Sequence, residues 1–190
     1  MTTEVPTYVI TPEAVLSYPH LFTARKNDKG EMKYEATFVF SPEQQKTPEF
    51  AKILEALQAA GLKKFGERFH QLLKTDGFKK GLRTDGEAKG YGAGSVYLSA
   101  RTDTAPQIVG PDLKPITDKT KVYPGVICRA SLRAFGFDGS SNKGVSFALQ
   151  NVQIIRDGDR LDGKKDAADE FTPVAVEAKD LSALNALMGQ

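Results

Sequence analysis

The chain has 190 residues, 40% of them hydrophobic, with 26 Lys and Arg against 24 Asp and Glu. That is one domain of ordinary size, long enough to bury a core. An aromatic content of 9% excludes a wholly disordered chain, 17 Gly and 10 Pro argue for turns rather than a helical bundle, and the single Cys128 excludes an internal disulfide or a Cys-rich zinc site.

The formal charge of +2 divides unevenly: residues 1–156 carry 22 cations and 16 anions, a net of +6, whereas 157–190 carry 4 and 8, a net of −4. A basic body with an acidic end is the pattern of a polyanion binder whose tail competes for the same surface or recruits partners. The first residues lack a basic start followed by an apolar run, and no uncharged stretch nears the roughly 20 residues of a membrane span. The expectation is a cytoplasmic protein with no membrane association.

In chain order, residues 7–16 are β-branched and apolar but interrupted by Pro12, which reads as a bent or edge strand. Asn27 to Gly30 make a polar turn, and residues 33–40 alternate as a half-buried strand with Tyr34, Ala36, Phe38 and Phe40 on one face. Thr47-Pro48 is a helix start, and Phe50, Ile53, Leu54 and Leu57, then Phe65, Phe69, Leu72 and Leu73, recur at helical spacing. The segment 48–74 is predicted as one interrupted helix or two, with Gly61 as the break.

Residues 76–94 hold six glycines interleaved with Lys79, Lys80, Arg83 and Lys89, and Tyr91 lies among them. So little apolar surface predicts a mobile basic loop able to conform to a polyanion. A strand follows with Val96, Leu98 and Ala100 inward and Tyr97, Ser99 and Arg101 outward. Residues 126–137 place Val126, Cys128, Ala130, Leu132 and Ala134 on the core side and Arg129, Ser131, Arg133, Phe135 and Phe137 on the other. Arginines leading into phenylalanines are poor core material, but they suit a surface that grips phosphates and stacks bases. The strand 145–155 changes parity at Gln150–Asn151, which predicts a β-bulge.

The fold class predicted is mainly β: a strongly bent five-stranded antiparallel barrel with a helical insertion at 48–74 and a flexible acidic C-terminal tail. Residues 1–156 form the body. Residues 157–190 are an acidic linker ending in an amphipathic segment, 180–188, that needs a partner surface.

Enzyme signatures are missing. Gly81 and Gly86 are followed by Glu87-Ala88 rather than Lys and Ser or Thr, and Gly90, Gly92 and Gly94 do not fit the dinucleotide spacing. His20 and His70 stand apart, and Cys128 lies on an apolar strand face. The reading is therefore non-enzymatic, without cofactor or metal. The rival classes are a structural or assembly protein using a β-barrel scaffold and a metal-dependent nuclease built on the acidic stretch.

Lys33-Tyr34, Leu82-Arg83, Tyr97 to Arg101, Tyr123-Pro124-Gly125, Ala134-Phe135, Asn142 to Val145 and Leu149 to Gln153 through Asp157-Gly158 together resemble a bacteriophage family of single-stranded DNA-binding proteins built on an oligonucleotide/oligosaccharide-binding (OB) barrel. The resemblance spans roughly residues 7–170. It implies sequence-independent coating of single-stranded DNA in phage replication or recombination, with replication or recombination proteins as partners of the tail. Tyr97, Phe135 and Phe137 are then expected to stack bases, and Lys79, Lys80, Arg83, Lys89, Arg101, Arg129, Arg133 and Lys143 to meet phosphates, with Tyr91 beside them. The terminal residues 187–190 depart from the acidic tail with a final aromatic found in some such proteins.

Overall fold

The computed structural model describes residues 6–165, 167–174 and 186–187. Ten elements follow in order: β1 (Tyr8–Ile10), β2 (Ala14–Lys26), β3 (Met32–Phe40), α1 (Pro48–Phe65), α2 (Arg68–Leu72), β4 (Val96–Thr102), β5 (Gln107–Val109), β6 (Ile127–Asp138), β7 (Lys143–Arg156) and the short α3 (Ala167–Glu170). Strands β2, β3, β4, β7 and β6 close into a five-stranded barrel, because β6 pairs both β7 and the start of β2. β1 and β5 extend it at the two sheet edges. All pairs are antiparallel except β4–β7 and β5–β7, which are parallel. The mainly β barrel expected from the sequence is present, closed by a parallel pair that alternation alone does not reveal.

The core follows strand parity. Leu16, Phe38, Phe40, Leu98, Leu132, Phe147 and Leu149 are buried inside the barrel, and Cys128 is fully buried among them, its thiol pushed well above the usual range by desolvation. The bulge expected at Gln150 is there: Ser131 pairs Asn151 and Leu132 pairs Leu149, so Gln150 is the extra residue and the inward parity passes to Val152 and Ile154. β2 is longer than expected. Its register slips between Ser17 and His20, where Tyr18 adopts a φ of 45°.

The helical insertion packs on β6, β1 and β7 and buries Phe50, Ile53, Leu57 and Ala60, the Phe50 ring edge-on to Phe40 of β3. Thr47 caps α1 by accepting the Phe50 N–H. The helix does not break at Gly61 but runs through it, and the missing side chain there makes room for the ring of Phe69. It ends instead at Gly66, whose φ of 59° reverses the chain into α2.

Beyond β7 the chain stays on the barrel for a few residues. Tyr123 donates to Asp157 (3.0 Å), the Leu161 N–H donates to the Pro124 carbonyl (2.9 Å), and the Arg160 guanidinium lies 4.7 Å from the Tyr123 ring centroid. The amphipathic segment 180–188 lies outside the described residues except for 186 and 187.

Candidate nucleic-acid interface

Outward-facing residues of β4 and β7 form the floor of an open cleft of about 1160 Å3, bordered by β6 on one side and by Lys33 of β3 on the other. The register aligns side chains across the strands: Thr37 opposite Ser99, Glu35 opposite Arg101, Arg101 beside Ala148, and Ala148 opposite Arg133. The central floor is therefore small and polar, from Ser99, Ser146 and Ala148, with Thr37 and Ser99 joined by a 2.8 Å hydrogen bond.

One wall is β6. Phe135 pairs Ser146 and Phe137 pairs Gly144, so neither ring has a bulky cross-strand neighbour, and the two lie 6.2 Å apart at 51°. Phe135 is 41% exposed and Phe137 half-buried. The opposite rim is the turn Asn27 to Glu31, with Lys29, Lys33 and Asp103.

The roof is the segment 77–85, and here the sequence expectation of a mobile loop is corrected. Phe78 is buried against the rings of Phe65 and Phe69. The Lys79 N–H donates to the Lys143 carbonyl (3.0 Å) and the Val145 N–H to the Lys79 carbonyl (2.8 Å), while Arg83 and Tyr97 exchange two backbone hydrogen bonds. A side chain at Gly144 would run into the Lys79 carbonyl, so this glycine is what lets the segment lie so close to β7. The anchors are long-range backbone pairs and one buried ring, none of which registers in local composition.

Seven of the twelve candidates from the sequence line the cleft: Lys79, Lys80, Arg83, Tyr97, Arg101, Phe135 and Phe137. Lys79 and Lys80 are exposed and have no acidic partner among the described residues. Arg83 pairs with Asp85 (3.4 Å) and Arg101 with Glu35 (2.8 Å). Tyr97, expected to be a stacking ring, is 8% exposed. Its ring meets Tyr91 edge-on at 5.4 Å, carries the Arg83 guanidinium at 5.8 Å, and its hydroxyl bonds Asp85. Burial, and then the Asp85 bond, raise the Tyr97 hydroxyl above the ordinary tyrosine range. It supports Arg83 rather than presenting a free face.

The remaining five lie around the cleft. Tyr91 reaches over β2 to share a 3.0 Å hydrogen bond with Ser17, and Lys89 is exposed on the turn before it. Lys143 is exposed beside Lys79, and Arg133 is exposed on the same face of β6 as Phe135. Arg129 is half-buried and donates to the Thr11 carbonyl (3.2 Å), the furthest of the set from the cleft along β6. Neither Arg129 nor Arg133 pairs with Glu35 or Asp103, which are taken by Arg101 and Lys33.

Sequence reasoning missed Lys29 and Lys33. Lys33 bonds Asp103, which, despite some desolvation, holds its ammonium above the ordinary lysine value. The signal available was the polar turn itself, four of whose residues, Asn27, Asp28, Lys29 and Glu31, line the cleft. Among the described residues no cluster of His, Cys, Asp or Glu could hold a metal ion, and no helix is long and apolar enough to cross a membrane.

A closed barrel carrying a cationic, aromatic-walled cleft across its outer face defines an OB-type binding protein. The chain belongs to the family of the single-stranded DNA-binding protein of Enterobacter phage Enc34, whose family model matches residues 7–182. It is 28% identical over 174 residues to protein p50 of Acyrthosiphon pisum secondary endosymbiont phage 1, covering 87% of this chain and 92% of that protein. Its fold is similar to that of the single-stranded DNA-binding protein from bacteriophage Enc34 in complex with single-stranded DNA (TM-score 0.68, 17% identity, 82% of this chain and 89% of that one). It also resembles gp2.5, a single-stranded DNA-binding protein encoded by bacteriophage T7 (TM-score 0.56, 11% identity, 90% and 98% covered).

Proposed function

We propose that this protein binds single-stranded DNA without sequence preference and coats exposed strands during phage DNA replication or recombination, acting in the host cytoplasm and catalysing no reaction. The observation that carries the reading is the joining of Phe135 and Phe137 to Lys79 and Lys80 across one open cleft. Aromatic faces accept any base, and free ammonium groups accept the phosphates between them. The small floor of Ser99, Ser146 and Ala148 leaves depth for unpaired bases.

In this account Phe135 and Phe137 stack bases. Lys79, Lys80, Arg83, Arg101 and Lys143 neutralise phosphates, Arg133 continues that set along β6, and Tyr97 and Tyr91 brace the roof. Residues 1–156 act as the binding body, and 157–190 as an acidic tail that contacts replication or recombination proteins.

A gel-shift series with one labelled oligonucleotide, single-stranded and as a duplex, with and without Mg²⁺, tests this. The single strand should shift, the duplex should shift only at far higher protein, and the label should stay intact with Mg²⁺. Equal shifting of both forms would contradict the reading, and cleavage would replace it with nuclease activity.

A further inference from the structure

One exposed ring, Tyr8, stands beyond the cleft. Tyr8 on β1 lies directly opposite Arg133 on β6. Val9 is buried in the core, so Tyr8 stands on the outer face, where it is 49% exposed. Arg133 is exposed beside it and has no acidic partner among the described residues.

The pair lies on one register row with Arg101 and Ala148, which line the cleft. The row runs Glu35, Arg101, Ala148, Arg133, Tyr8 across five neighbouring strands. At about 4.8 Å per strand, Tyr8 stands roughly 14 Å from Arg101 across the sheet. Ala148 between the two arginines raises no barrier, and Phe135, the next outward residue on β6, already lines the cleft.

We infer that Tyr8 and Arg133 form a further nucleotide subsite, which takes the base and phosphate of the same single strand after it leaves the cleft past Phe135. This rests on the single-strand reading above. Continuity with the cleft and the unpaired guanidinium favour nucleic acid over a protein partner at this patch. A ring beside a free cation is the combination that holds one nucleotide irrespective of base.

The test uses the full chain and oligo-dT from about 4 to about 16 nucleotides, the range of site sizes for OB folds. Tyr8→Ala should bind the longest strands about 5-fold to 150-fold more weakly, the worth of one stacked base, and the shortest as tightly as the unaltered protein. Tyr8→Leu should behave like Tyr8→Ala, and Tyr8→Phe like the parent. Arg133→Gln should lower the slope of log affinity against log salt by about 0.7 on the long strands. Normal binding by Tyr8→Ala at every length, full binding by Tyr8→Leu, or an equal loss at every length would overturn the subsite. So would a change in sedimentation mass in place of length-dependent affinity, since that marks a contact between protein chains. Failure of the unaltered protein to bind any strand would instead remove the underlying reading.

Discussion

Arg101, in the cleft floor, donates its Nε–H at 2.8 Å to the carboxylate of Glu35 on the adjacent strand, and Arg25 approaches the same carboxylate at 3.6 Å. Glu35 thus occupies the place a phosphate oxygen would take on Arg101. An incoming strand must exchange one anion for the other. An exposed ion pair is worth about 0.2–1 kcal/mol, so Glu35→Gln should tighten single-strand binding by roughly 1.5-fold to 5-fold and steepen its salt dependence. Fluorescence titration across a salt series measures both; unchanged affinity and slope would remove Arg101 from the phosphate contacts.

Phe135→Ala should weaken binding of oligo-dT, oligo-dA and mixed sequences alike, by about 1–3 kcal/mol, because every base has a face to stack. Phe137→Ala should do the same and also lower the urea midpoint, since that ring is half-buried. Loss confined to one sequence, or normal binding by Phe135→Ala, would contradict the stacking roles.

Gly144→Ala should detach the segment 77–85 from β7, because the added methyl meets the Lys79 carbonyl. Amide exchange at Lys79 and Val145, whose N–H groups make the bridging hydrogen bonds, should accelerate. Single-strand affinity should fall as Lys79 and Lys80 lose their fixed positions. Retained protection at both amides would show that the roof is held elsewhere.

Stability should decline in alkali. Burial raises the ionisation of Cys128, and also of Tyr91, Tyr97 and Tyr123, above ordinary values. A raised folded-state value means stability is complete below the unfolded value and lost as pH climbs towards the folded one. The loss should begin above about pH 8.5, where an unfolded thiol ionises, and deepen above about pH 10 with the tyrosines. Urea midpoints measured from neutral to alkaline pH check this, and Cys128→Ala should delay the onset to about pH 10. A flat or rising midpoint would contradict it.

Much of this architecture is legible in local pattern. The parities of β3, β4, β6 and β7, the cap at Thr47 and the bulge at Gln150 all follow from side-chain spacing, and they place Arg101, Arg133, Phe135 and Phe137 on the outer face before any coordinates. What escaped is set by contacts distant in sequence. Residues 17–26 do not alternate cleanly because the slip at Tyr18 shifts the pattern midway through β2. The order of 77–85 depends on β7 and β4, and the burial of Tyr97 on Arg83 and Tyr91 folding over it. The parallel closure of β4 on β7 leaves no local trace.

The most direct test of the cleft is photo-crosslinking of an oligonucleotide containing 5-iodo-deoxyuridine, with the attached peptides identified by mass spectrometry. The account predicts attachment at Phe135 or Phe137, with neighbouring crosslinks in the segment 77–85. Crosslinks confined to the β5 region, residues 107–121, with 77–85 and 133–137 unmarked, would contradict it.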